Sequence, residues 1–185
     1  MTKDLSFRTL IEKVKAEEEV YQIKLPVSQS QLKPVFSEEA ISLHYGTLYK
    51  KYVEKAHAGE GEFQVAGAKL HTLFFEQFQA SKANNRPSDA SKILIEKKFG
   101  SFENFKDSIK NAALEIHGSG WVYLDTKGTI KTIVNHKVVD DVAVIIDMWE
   151  HSFIIDYGAD KEKYLANIWK IIDWTIINAR INQNV

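Results

Sequence analysis

The sequence predicts an α+β fold in which a helical hairpin leads into a small antiparallel sheet and a closing helix. Three observations predict it. Residues 37–80 carry apolar residues at helical spacing, interrupted only by a stretch bearing Gly59 and Gly61. Three short β-branched or aromatic runs then occur one after another, at Trp121 to Leu124, Ile130 to Val134 and Val142 to Ile146, instead of alternating with helices. A final segment, Lys161 to Asn182, returns to helical spacing. Strands that follow one another without helical crossovers indicate an antiparallel sheet, which excludes a doubly wound fold.

Taken in order, Leu5, Leu10, Ile11, Val14 and Val20 are loosely spaced among charges, which suggests an amphipathic N-terminal helix ending before Pro26. Pro26 to Pro34 holds two prolines with several Ser and Gln and reads as an extended connector. Ser37 is an N-cap candidate, followed by Glu38 and Glu39 where a helix favours negative charge. That helix carries Ile41, His44, Leu48, Tyr49, Tyr52 and Val53, and a second is expected from about Val65 to Ala80. Asn84 to Pro87 is a break. Two shorter helices, Ser88 to Lys98 and Ser101 to Ile116, are separated by Gly100, with Ser88 and Ser101 as caps, and Lys127 and Gly128 mark a hairpin turn between the first two strands. In the last helix, Tyr164, Ile168, Ile171, Ile172 and Trp174 fall on or near one face. These changes of texture divide the chain into an N-terminal extension (1–25), a helical hairpin domain (26–86) and a C-terminal α/β domain (87–185).

Composition narrows the function. In 185 residues, 24 Lys and Arg stand against 25 Asp and Glu, so the basic excess of a nucleic-acid binder is missing. Cysteine is absent, which removes disulfides, thiolate metal sites and cysteine nucleophiles together. No apolar run approaches the roughly 20 residues that span a bilayer. Residues 1–20 have no apolar signal-peptide core and contain Glu17, Glu18 and Glu19, so a cytoplasmic location is expected. The nine glycines form no phosphate loop or dinucleotide fingerprint, and Gly118, Ser119, Gly120 is too short for a nucleophile elbow.

The remaining chemistry lies in six histidines. His44, His71 and His151 stand in strongly apolar surroundings, where an imidazole without a partner is costly. Each by itself is more often a satisfied core histidine than a ligand. Together with Asp147, at the end of an apolar strand, they are better explained by a shared metal site, although spacing alone does not select the four groups. Histidines with one carboxylate and no thiolate suit a redox-active first-row metal such as iron or manganese better than structural zinc.

From about Gln22 onward the chain resembles the iron/manganese superoxide dismutases. The resemblance rests on Asp147 to His151 (DMWEH), His44 to Val53 (HYGTLYKKYV), His71 to Phe75 (HTLFF), Phe99 to Lys106 (FGSFENFK), Gly118 to Trp121 (GSGW), and Tyr164, Trp169 and Trp174, in the family's order and spacing. It implies a helical hairpin, then an α/β domain with a three-stranded antiparallel sheet, and one Mn or Fe ion per chain held between them by His44, His71, Asp147 and His151. It further implies a homodimer or higher oligomer that converts superoxide to oxygen and hydrogen peroxide.

Within that resemblance, Tyr52 matches a tyrosine guarding the metal's open face. On a regular helix it lies about 80° round and ~12 Å along from His44. Glu150 matches a residue that reaches across the dimer interface to the partner's equivalent of His151, and Trp121 and Trp149 match the pocket's aromatic wall. Two departures stand out. Where many members place a solvent-binding glutamine, this chain has Gly67 in the hairpin and His136 in the sheet region. Some branches carry a histidine at the second position, which makes His136 a solvent partner; its neighbours Asn135 and Lys137 would equally suit an exposed residue. At a His and Tyr gateway pair the chain has Leu48 and Ile154, an apolar repacking. His57 and His117 match no functional position and read as surface residues. The alternative functions are a scaffold that keeps the metal-binding fold with altered catalysis, and another non-haem iron enzyme using two histidines and a carboxylate, which would leave one of the three histidines unneeded.

Overall fold

A computed structural model describes residues 20–183. The expected N-terminal helix lies mostly outside the described residues, and the part within them, 20–25, is not helical. The connector is not extended throughout: Gln29–Leu32 forms one 3₁₀ turn, with Leu32 fully buried.

Helix α1, Glu38–Leu43, begins as its sequence predicts, with Ser37 Oγ accepting from Ala40 N at 3.0 Å. It does not continue as an α-helix. His44–Tyr49 winds as a π-helical segment before α2, Lys50–His57, resumes the ordinary pitch. The angular count from His44 to Tyr52 on a regular helix therefore does not apply, and such widened turns are frequent at functional sites.

Helix α3, Glu62–Glu76, packs against α2 to complete the hairpin. It stops short of Ala80 because Gln77 leaves the helix to serve the sheet. The buried Gln77 amide donates to Ile145 O and accepts from Ile145 N.

Helices α4, Asp89–Phe99, and α5, Phe102–Leu114, follow, separated by Gly100 at φ +80°. Ser101 caps α5 through Asn104 N, as expected. Ser88 does not cap α4; its Oγ accepts instead from Asn178 Nδ2.

The antiparallel sheet has the order β2-β1-β3, from β1 (Gly120–Asp125), β2 (Ile130–Val134) and β3 (Val142–Asp147). Both β1 and β3 are buried at every residue, which explains their unbroken apolar runs, whereas β2 is a half-exposed edge. The β1–β2 turn is held by Asp125 Oδ1, which accepts from Lys127 N and Thr129 N, with Gly128 at φ +83°. Among the described residues no strand pairs with the outer edge of β3. Gln77 and Arg180 satisfy it with side chains, Arg180 donating to Ala143 O at 3.0 Å.

After β3 come a 3₁₀ turn, Glu150–Ser152, and a single helical turn α6, Ile154–Tyr157, both too short to show in apolar spacing. The expected closing helix is split. It consists of α7 (Lys161–Asn167), a 3₁₀ stretch (Ile168–Ile171) and α8 (Trp174–Gln183), with Ile172 extended between the last two. The break is made by tertiary hydrogen bonds. Gln79 N donates to Ile171 O at 2.7 Å, Asp173 N to Gln77 O at 2.7 Å, and the Asn85 amide to Trp169 O and Ile172 O. Residues 77–85 thus take over backbone groups that a continuous helix would have satisfied itself. One core runs through both halves, with Phe36, Phe78 and Tyr164 in ring contact.

Candidate metal centre

Four groups from four separate elements converge between the hairpin and the sheet. His44 opens the π segment, His71 lies on α3, Asp147 ends β3 opposite Trp121, and His151 sits in the following 3₁₀ turn. Asp147 Oδ2 lies 3.1 Å from His44 Nε2, 3.1 Å from His151 Nε2 and 3.8 Å from His71 Nε2. One donor atom from each of the four residues falls within 4.8 Å of all the others.

The surrounding bonds prepare these atoms. His71 Nδ1 is 2.6 Å from Gly67 O, and a carbonyl only accepts, so Nδ1 carries the proton and the neutral ring leaves Nε2 with a free lone pair. Nε2 of both His44 and His71 is buried without a well-directed hydrogen bond. Asp147 is oriented by Trp149 N, which donates to Oδ1 at 2.8 Å, and by the Tyr164 hydroxyl, which donates to its backbone carbonyl at 3.0 Å. Burial lowers His44 to about 4 and His71 well below its usual range. Burial alone would raise Asp147, but its interactions with His151 and His44 outweigh that and hold it ionised. Three imidazole nitrogens and one carboxylate oxygen, two of the nitrogens otherwise orphaned, fit a single first-row metal ion.

Residues 87–180 match the family model described as iron/manganese superoxide dismutases, C-terminal domain. The chain belongs to this family. It is 32% identical over 187 residues to a superoxide dismutase [Fe] of Bacteroides fragilis, covering 85% of this chain and 97% of that protein. It is 30% identical to a superoxide dismutase [Mn/Fe] of Porphyromonas gingivalis, with the same coverage of each chain. A superoxide dismutase [Mn/Fe] of Aeropyrum pernix is 28% identical, covering 86% of this chain and 89% of its own length.

Around the four groups of this superoxide dismutase chain, aromatic rings form a wall. His136 is buried and not the exposed hairpin-end residue that Asn135 and Lys137 suggested. Trp121 Nε1 donates to His136 Nδ1 at 3.1 Å, so the neutral His136 ring carries its proton on Nε2, which is buried and without a partner among the described residues. Trp149 stacks on His136 with centroids 4.5 Å apart, and burial lowers His136 to about 4.

Tyr52 is half-buried and stacks on His71 at 5.1 Å. Burial and the negative Asp147 both raise its hydroxyl pKa. A cleft of about 250 Å³ adjoins it, lined by Leu48, Lys51, Tyr52, Lys55, Phe63 and Gln64.

The structure also brings in residues that sequence reasoning did not assign. Phe63, 43% exposed, lies 4.7 Å from His136 and 6.3 Å from Tyr52. Its only signal was a position two turns before His71 on α3. Gly67 proves to be more than a missing glutamine. A Cβ there would come within 2.6 Å of Tyr52 Cδ1, so the Tyr52 ring fills the space that a side chain at 67 would need. Glu150 and Ile154 are exposed and Leu48 half-buried; none of them is drawn into the four-residue cluster. His57 and His117 are exposed, as read, although His57 Nε2 also contacts Val20 O.

The low histidine values give the metal-free protein a defined pH response. His44, His71 and His136 bind protons in the unfolded chain near their ordinary value of 6.5 but resist them when folded. Stability of the metal-free protein is therefore expected to fall as pH drops from about 6.5 towards 4. Thermal melts across that range check this, and a flat profile would contradict the buried, neutral state of these rings.

Proposed function

We propose that this chain is a superoxide dismutase, with His44, His71, Asp147 and His151 holding one iron or manganese ion. The convergence of three imidazole nitrogens on Asp147 Oδ2, in a pocket walled by Trp121 and Trp149, is the observation that carries the reading. Bound there, the ion supplies one-electron chemistry, passing between its trivalent and divalent states as superoxide becomes oxygen in one half-reaction and hydrogen peroxide in the other.

The chain's own residues supply the rest. Asp147 brings the one fixed negative charge among the four groups, which leaves a bound cation with a net positive site that attracts an anion. Two groups hold protons beside the site. The Tyr52 hydroxyl stays protonated because burial and Asp147 disfavour its anion, and His136 presents Nε2–H because Trp121 occupies Nδ1. Trp121, Trp149 and Phe63 exclude bulk water and large ligands. Lys51, in the cleft beside Tyr52, has no ion-pair partner among the described residues, whereas Lys55 is paired with Glu60, so Lys51 is the free cation on the anion's approach.

A homo-oligomer belongs to this reading. Glu150, next to His151, and the exposed Ile154 and Ile155 form a mixed acidic and apolar surface suited to a second copy of the chain. Antioxidant work in the cytoplasm also belongs to it. No helix among the described residues is long and apolar enough to cross a membrane.

Reconstituting metal-free protein separately with manganese and iron, with bound metal quantified, tests the proposal. The expected result is one ion per chain and superoxide disproportionation with at least one metal. Full metal loading without activity would instead make the chain a metal-binding scaffold.

A further inference from the structure

Backbone groups of a chain crossing a helix need partners that the helix backbone cannot provide. Residues 21–25 meet this need with two tyrosine hydroxyls. Tyr49 OH accepts from Ile23 N at 3.2 Å and donates to Tyr21 O at 3.0 Å. Tyr45 OH accepts from Leu25 N at 3.2 Å and donates to Ile23 O at 2.6 Å. Tyrosines four apart thus meet alternate residues of one strap, each hydroxyl bridging two backbone groups of it. Both tyrosines lie in the π segment that begins at His44.

Tyr49 also reaches inward. It is fully buried, its ring stacks on His71 with centroids 5.8 Å apart and only 10° between planes, and its hydroxyl lies 2.6 Å from Thr72 Oγ1. Tyr52 stacks on the same imidazole at 5.1 Å, and Gly67 O fixes its Nδ1. Of these three restraints on the His71 ring, Tyr52 also lies edge-on to His136, and Tyr49 is the one hydrogen-bonded to the strap.

We propose that Tyr49 is a positioning residue of the metal centre, holding the plane of His71, and that the strap Tyr21–Leu25 sets Tyr49 and so governs how tightly the ion is kept. This rests on the reading of His44, His71, Asp147 and His151 as the metal site. A partner or cleavage event that displaces the strap would thereby loosen the metal without touching a ligand.

The test is metal release from the reconstituted full chain into excess EDTA, beside the visible absorption band of the manganese-loaded protein. Tyr49→Phe keeps the stacked ring but loses the hydroxyl bonds. It is expected to release metal about tenfold faster, the low end of the range for residues that orient a metal ligand, and to shift the band. Tyr45→Phe should accelerate release less, and the double variant no more than Tyr49→Phe alone, because both act through one contact. Asp125→Ala, in the distant β1–β2 turn, is the stability control. It should lower the melting temperature of the metal-free protein while leaving release within about twofold and the band unmoved.

Unchanged release in Tyr49→Phe, additive effects in the double variant, or equal acceleration in Asp125→Ala would each overturn the proposal. If the unaltered chain binds no ion at these four residues, the metal-centre reading fails and this inference fails with it. If the unaltered chain holds one ion and Tyr49→Phe releases it at the same rate, only this inference fails.

Discussion

His71→Ala is expected to leave a folded chain that retains no metal after dialysis and shows no superoxide disproportionation above that of metal-free protein. His71 Nε2 is one of four converging donor atoms, and its neighbours offer no replacement: Tyr49 and Tyr52 stack on the ring, while Gly67 engages the opposite nitrogen. A loss of affinity beyond a hundredfold follows from removing a ligand, since altering residues that only orient one costs 10–100-fold. The effect on folding should be smaller. The cavity left by a buried ring costs about 3 kcal/mol, but the substitution also removes a buried, unpartnered nitrogen, itself a penalty of about 1–3 kcal/mol. Metal analysis with circular dichroism checks both halves of the expectation. Stoichiometric metal in a folded His71→Ala chain would remove His71 from the site.

Gly67→Ala is the second large effect, and it should spare the metal. A methyl at 67 would lie 2.6 and 2.8 Å from Tyr52 Cδ1 and Cε1, closer than such contacts occur, so the ring must move. It has little room, being stacked on His71 at 5.1 Å and edge-on to His136 at 4.9 Å. Alanine ordinarily favours a helix over glycine by about 1 kcal/mol, but overpacking costs about 1–3 kcal/mol, so a net loss of stability is expected. Displacing a proton-holding group should lower the turnover about tenfold or more, a cautious figure beside the 10²–10⁴-fold of general acid catalysis. Gly67 O remains available to His71 Nδ1, so metal content should stay near one ion per chain. Full activity in this variant would mean that Tyr52 can move without consequence.

These two substitutions also separate what was legible in the sequence from what was not. His71 stood out because an imidazole between Leu70 and an apolar run is costly unless it has a partner, and that penalty is a property of residue types. Gly67 drew notice only as a residue missing from a pattern. Its reason, the volume taken by Tyr52 from the facing helix, exists only once α2 and α3 are packed. His136 is similar: its polar neighbours fit an exposed residue, and burial against Trp121 and Trp149 decides otherwise. Phe63 and Tyr49 were ordinary aromatics until packing placed one against His136 and the other against His71.

The same division holds for the fold. Apolar periodicity, a serine cap at Ser37, a glycine turn at Gly128 and strand-like runs are local, so the sequence by itself determined the helical hairpin, the antiparallel sheet after it and the residue types of the metal centre. The π segment, the early end of α3 and the break at Ile172 were decided by tertiary structure alone. The last two have partners distant in sequence, the edge of β3 at Ile145 and the segment 77–85, and the tyrosines of the π segment bond the strap at 21–25. Helical periodicity records which side of a segment is apolar, whereas long-range hydrogen bonds decide where its helix stops.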